Sequence, residues 1–279
     1  MVQETVTPTA PNKPVPNGVG QVLGLSWKFL VTGFVHYLVA SLILLWGGAI
    51  IAGLVLVIPF IILASIFPDN SNTAIIVAGV IVGVPIILIL SGWWSGAILS
   101  LFKIQWEGSR PQWKEGIRLG RIHLSHMVKT VALQQVVMLG VTAPGAAGSL
   151  LLQRGRIGAG FTWSFIAFIL TITIFFRFRL MPQAAILDDV PAWKTTRASL
   201  RAASNAEGSV WAPLIVGYLL NIALSKLSGY LPYLVVYSVA LPLVTVWEDI
   251  ALGLAYVQGT RREIAVKDAV SDQPPASND

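Results

Sequence analysis

The chain is 279 residues long, 55% apolar and only 11% charged, against roughly 25% charged in an ordinary soluble domain; with a mean hydropathy of +0.72, this excludes a soluble globular fold. The absence of any cysteine removes disulfides, iron–sulfur clusters, thiolate zinc sites and a cysteine nucleophile together. The formal net charge of +6 belongs, in a membrane chain, to orientation and anionic headgroups, and gives no ground for nucleic-acid binding.

Residues 1–20 hold Pro8, Pro11, Pro14 and Pro16 and no apolar run, which reads as a disordered tail and not as a signal peptide. From Leu30 to Phe67 only His36 is strongly polar. The run is far longer than the ~20 residues that cross the hydrocarbon, so it is expected to tilt, protrude or break near Pro59. The short link Pro68 to Asn72 turns it back into a second span, Thr73–Phe102. Met127–Leu152 is a weaker span containing Gln134, Gln135 and Pro144, and it returns through Gln153 to Gly158 into Phe161–Phe176. Val210–Leu227 and Tyr233–Tyr256, joined by Ser228 to Pro232, complete six spans in three hairpins. The fold class is therefore all-α, a polytopic membrane bundle spanning residues 21–262, with a second disordered tail over 263–279.

With this topology sixteen of the 19 Lys and Arg residues fall on one side, and only Arg154, Arg156 and Lys226 on the other. Positively charged loops stay cytoplasmic, so both termini are expected inside. Without the weak Met127–Leu152 span the basic loops would fall on opposite faces.

The two long cytoplasmic segments carry an internal repeat. Pro111-Gln-Trp113-Lys114 with Arg121 recurs, 80 residues on, as Pro191-Ala-Trp193-Lys194 with Arg201; Trp27-Lys28 is a third, less alignable copy. Proline suits the first turn of a helix, and Lys114, Arg118 and Arg121 then share one face while Trp113 takes another. Lys194, Arg197 and Arg201 form a similar stripe beside Trp193. Both segments read as amphipathic helices in the inner headgroup layer, contacting anionic lipid or a membrane protein partner. The plainer alternative is that they obey the positive-inside rule and brace the spans.

Glu248 and Asp249 are the most informative polar residues, because they lie inside the last span, where a central charge costs about 2.5 to 3.5 kcal/mol. Adjacent helical residues diverge by about 100°, so the two cannot serve one site equally. Arg177 and Arg179 end the fourth span, and Gln134 with Gln135 enters the third. One polar cluster is expected, with Glu248 or Asp249 paired to Arg177 or Arg179, either as a lock between helices or as a transport or binding site. Pro242, six residues before Glu248, frees a backbone carbonyl and can kink the span.

Other features carry less. His123 and His126 form too thin a set for a metal and read as interfacial histidines. Gly79 with Gly83 and Gly92 with Gly96 have the small-xxx-small spacing of close helix packing. The Ser91-Gly-Trp-Trp-Ser95-Gly96 segment lacks the Gly-x-Ser-x-Gly elbow of a serine nucleophile. No phosphate-binding loop, dinucleotide fingerprint or His-Glu-x-x-His is present, so neither cofactor nor metal is expected.

Gly96 leading into Lys103 and Glu107-Gly-Ser, Arg177 followed by Met181 to Asp189, Ser199-Leu200, and a last span closing on Ala255-Tyr256 and Arg261 form a recognisable series. In these features the chain resembles the membrane domain of bacterial glycerophosphoryl diester phosphodiesterases and related six-span membrane proteins of unknown function. Arg177, Asp188 and Ser199 are the matching positions, whereas Val257-Gln258 stands where the family usually has an aromatic and an acidic residue. The resemblance implies a bacterial cytoplasmic-membrane architecture. It implies no phosphodiesterase activity, because the soluble barrel needs about 250 further residues. The expected function is thus non-enzymatic, organising lipids or a membrane partner; the alternative is a small transporter component using the carboxylates.

Overall fold

A computed structural model describes residues 15–66, 79–230 and 235–271. Among them the chain is all helix, and six helices are long and apolar enough to cross a membrane: Phe34–Pro59, Gly79–Trp106, Leu124–Gln153, Ile157–Leu187, Glu207–Leu227 and Val236–Arg261. The protein is a polytopic membrane bundle.

The chain begins with α1 (Val19–Thr32) and α2 (Phe34–Ile66). The expected break near Pro59 lies elsewhere: α2 runs straight through Pro59, and the interruption is at Gly33. A Cβ at Gly33 would lie 2.7 Å from the Tyr37 ring, so any larger residue at this break between α1 and α2 would have to push the ring aside. A helix inside a membrane tolerates the one hydrogen bond that proline removes. The first apolar run therefore forms α2, and α1, which lies almost wholly before it, adds a short helix to the two expected. The link at 68–72 lies outside the described residues.

The second span opens with a π turn, Gly79–Gly83, and continues as α3 (Val84–Trp106). Then come the short α4 (Trp113–Ile122), the long α5 (Leu124–Gln153) with Pro144 inside it, and a tight turn at Gly155, φ +74°, into α6 (Ile157–Leu170). A π turn (Thr171–Phe175) and the brief α7 (Phe176–Phe178) lead to α8 (Met181–Leu187), in which every residue from Met181 to Ile186 is buried. The fourth span is thus longer than the expected Phe161–Phe176 and ends inside the bundle. α9 (Ala192–Asn205) and α10 (Glu207–Leu227) follow. After residues 231–234, which are not described, the π turn Val236–Ala240 enters α11 (Leu241–Ser271). Pro242 sits directly after that turn inside an unbroken helix, where the looser π geometry accommodates the hydrogen bond that its missing N–H removes. The tail expected from 263 is helical as far as Ser271, because no Gly or Pro interrupts Arg261 to Val270; the remainder lies outside the described residues, as do residues 1–14.

α11 is the axis of the fold. One side buries Val246, Ile250 and Leu254 against Val22 and Leu30 of α1, Tyr37 of α2 and Phe102 of α3. The other buries Leu252, Ala255 and Tyr256 against Ala184 of α8, Ala202 of α9 and Leu214 of α10. Because apolar burial gives helices in lipid little net attraction, close approach of small residues has to supply it. At Gly120 an added Cβ would lie 2.7 Å from the Ala97 backbone nitrogen, and at Gly92 3.0 Å from Val128. Gly116 abuts Leu101, Gly96 meets Gly120, and Trp93 Nε1 donates to the Ile117 carbonyl at 3.3 Å. Gly92 and Gly96 therefore pack as their spacing suggests. Gly79 faces open space, and among the described residues an added Cβ at the buried Gly83 would meet Leu56 at 3.9 Å, so this pair makes no comparably close helix contact.

The opposite end is loosely packed. Leu54, Ile58, Leu139, Phe161 and Phe165 are all exposed, an apolar surface far larger than water tolerates and suited to acyl chains.

Candidate functional site

The two adjacent carboxylates of α11 diverge, as helical geometry requires. Glu248 points to α10 and the end of the fourth span: its Oε1 accepts from Arg179 Nη2 at 3.1 Å, with the two side chains 12% and 32% exposed. Gly217 makes room for it, because a Cβ there would lie 2.8 Å from Glu248 Oε2. Of the four pairings open in the sequence, this one forms. Arg177 takes no part. Its carbonyl accepts a hydrogen bond from the Ser199 hydroxyl, and its side chain lines a separate 180 Å³ cavity with Glu207 and Trp211.

Asp249 is buried and turns the other way, into a cavity of about 210 Å³ walled by α3, α5, α8 and α11. Gln134, Gln135 and Arg179 line the same space, so four of the polar residues singled out in the sequence meet there. Gln134 Nε2 donates to the Phe178 carbonyl at 3.3 Å, which ties α5 to the start of the buried hairpin. Among the described residues Asp249 makes no hydrogen bond or ion pair. Two further groups facing the cavity, Gln183 Oε1 and Trp94 Nε1, are buried without a partner. Buried polar atoms are nearly always hydrogen-bonded, so these two unpartnered atoms, with Asp249 beside them, concentrate unsatisfied polar capacity in one chamber.

Ser91, Trp94, Ser95, Gln183 and Thr245 are the lining residues that the sequence did not single out as a site. A signal existed for two pairs: Ser91 with Ser95, and Thr245 with Asp249, are each four apart and so share a helix face. Gln183 carried none, being one amide in a short apolar stretch whose complete burial is a tertiary effect.

The positions at the basic end of the bundle behave differently. Lys103 donates to the Ile186 carbonyl at 3.1 Å. Tyr256 donates to Asp188 Oδ2 at 2.7 Å, and Asn205 Nδ2 to the Gly259 carbonyl at 3.0 Å. With Ser199 on the Arg177 carbonyl, these bonds clasp α8 and α9 onto α11. The three positions of the resemblance, Arg177, Asp188 and Ser199, thus all belong to one clasp beside the cavity.

Of the basic helices, Lys114 lies over its own Trp113 ring at 5.5 Å and Lys194 over Trp193 at 4.8 Å. Trp113 is half-buried against the main core, whereas Trp193 is 72% exposed, so only Trp193 has its ring outside the bundle. Arg118 is exposed and donates to Glu115 at 2.9 Å, a bond that lowers the Glu115 pKa and, in water, stabilises little. Arg121, Arg197 and Arg201 are exposed. His126 Nε2 is buried and unpartnered, and among the described residues no three His, Asp or Glu side chains come together as a metal site. No family model, no curated protein and no solved structure matches the chain.

Proposed function

We propose that this protein is a small transporter or permease component, and that the chamber beside Asp249 holds a small cationic solute on its way across the membrane. The observation that supports this reading is the division of labour between the carboxylates. Arg179 is bonded to Glu248 and also lines the chamber that Asp249 enters, so one cation serves two carboxylates and the cluster keeps one negative charge in excess, surrounded by amide and hydroxyl groups. Intramembrane carboxylates that face a polar space generally mark a solute or ion path. A space of about 210 Å³ corresponds to roughly seven waters at ~30 Å³ each, which suits a partly hydrated monovalent cation or an ammonium-sized solute. Pro242 lies about one helical turn before Thr245 and two before Asp249, and the Val236–Ala240 π turn ends about two and a half turns before Asp249; together they provide a flexible joint in the wall. The role is binding and passage, not catalysis, in a bacterial cytoplasmic membrane with both termini inside.

A direct test is uptake of Na⁺, K⁺ and methylammonium into proteoliposomes. Faster uptake of at least one than in protein-free vesicles is expected; no difference for any of the three would overturn the proposal.

A second reading, lipid organisation at the basic end, is supported by the exposed Trp193 with Lys194 above its ring. Amphipathic aromatic rings of that kind settle at the headgroup level.

A further inference from the structure

A cavity of about 590 Å³ lies at the basic end, between α1, the start of α2 and the turn after α3. It is remote from Asp249 and shares no lining residue with that chamber. Its floor is a rigid polar network. Gln105 accepts from the Tyr37 hydroxyl at 3.0 Å and donates to the Phe29 carbonyl at 3.1 Å and to Thr32 Oγ1 at 2.7 Å. Lys28 and Arg110 both line the groove, both are exposed, and neither forms an ion pair among the described residues. Ser109 adds a hydroxyl, and no acidic side chain lines the groove. His36, also in the lining, has a buried Nδ1 without a partner.

The surroundings are apolar in one direction only. Val31, Phe34 and Val35, beside the groove on α1 and α2, are 57%, 41% and 63% exposed. Trp106 in its wall stacks on Phe29 and lies under the Arg261 guanidinium at 5.9 Å, which brings a third cation close. Two cations and a hydroxyl suit a phosphate, and the apolar shoulder leading towards the spans suits the chains attached to it.

We infer that this groove holds the headgroup of an anionic glycerophospholipid, with its phosphate between Lys28 and Arg110 and its acyl chains against Val31, Phe34 and Val35. The inference rests on the second reading above, lipid contact at the basic end, and gives it a defined site and a headgroup class.

The test is native mass spectrometry of the full chain released from nanodiscs containing equal phosphatidylglycerol and phosphatidylcholine. The wild-type protein is expected to retain phosphatidylglycerol preferentially. Lys28→Gln and Arg110→Gln should each reduce that retention about fivefold, as one interfacial cation is worth, whereas Lys129→Gln, an exposed cation outside the groove, should leave it unchanged. Equal loss in Lys129→Gln, or full retention in both groove variants, would overturn the groove while leaving lipid contact standing. No preference in the wild-type protein would overturn both. Displacement of the lipid by millimolar inorganic phosphate would assign the groove to a free anion and overturn the lipid.

Discussion

Two helices open with the same four-residue signature, Pro-x-Trp-Lys, and are used in different ways. α4 starts at Trp113, two residues after its proline; α9 starts at Ala192, immediately after Pro191. The tryptophan is therefore the first helical residue in one and the second in the other, a rotation of about 100°. Relative to the tryptophan, α4 buries the residues three and seven places on, Gly116 and Gly120, whereas α9 buries those two and six places on, Thr195 and Ser199. In α4 the ring turns into the core and glycines carry the contact. In α9 hydroxyls and alanines carry it, and the ring is left outside. A motif repeat in a membrane protein thus need not be a repeat of role, because one residue of phase decides which face meets the bundle.

This contrast is sharpest at the two closest approaches to backbone atoms. Gly120→Ala drives a Cβ into the Ala97 backbone and Gly259→Ala drives one into the Ala202 carbonyl, and backbone on both sides leaves no side chain to move aside. Each should cost about 3 kcal/mol or more, read as a large loss of thermal stability in detergent; tolerance of both would mean that neither helix is clamped as described. The tryptophans come next. Trp113→Ala, which opens a half-filled space in the core, should cost about 2 kcal/mol, whereas Trp193→Ala should leave detergent stability unchanged and weaken only membrane-dependent behaviour. Equal effects would erase the difference between the helices. The smallest effects are expected at the clasp: Ser199→Ala and Tyr256→Phe each remove one hydrogen bond, about 1 kcal/mol apiece, and should loosen α9 without touching α4. Hydrogen exchange over α9 and α4 would read this out separately.

How much of this was legible before the structure depends on how local the cause is. The spans could be read from apolar length alone, and the polar meeting of Gln134, Gln135, Arg179 and Asp249 from the cost of burying such groups. The break at Gly33 could not, since it depends on the Tyr37 ring lying beside it, and proline drew attention to the wrong position. Trp113 and Trp193 look alike in sequence because the helix start, which separates them, shifts by a single residue. The far wall of the chamber, Ser91, Ser95 and Gln183, consists of isolated hydroxyls and an amide in apolar surroundings, and only the fold of α8 into the bundle shows which of them turn inward.

The central claim is that Glu248 holds the bundle together while Asp249 serves the chamber. The most direct measurement is a side-by-side comparison of Glu248→Gln and Asp249→Asn in detergent stability and in cation uptake by proteoliposomes. Glu248→Gln strands Arg179 and should lower stability by about 3 kcal/mol. Asp249→Asn should leave stability equal to or above the wild type, since it removes a buried unpaired charge, and should abolish uptake. A destabilised Asp249→Asn that still transports, beside a stable Glu248→Gln that does not, would contradict the account.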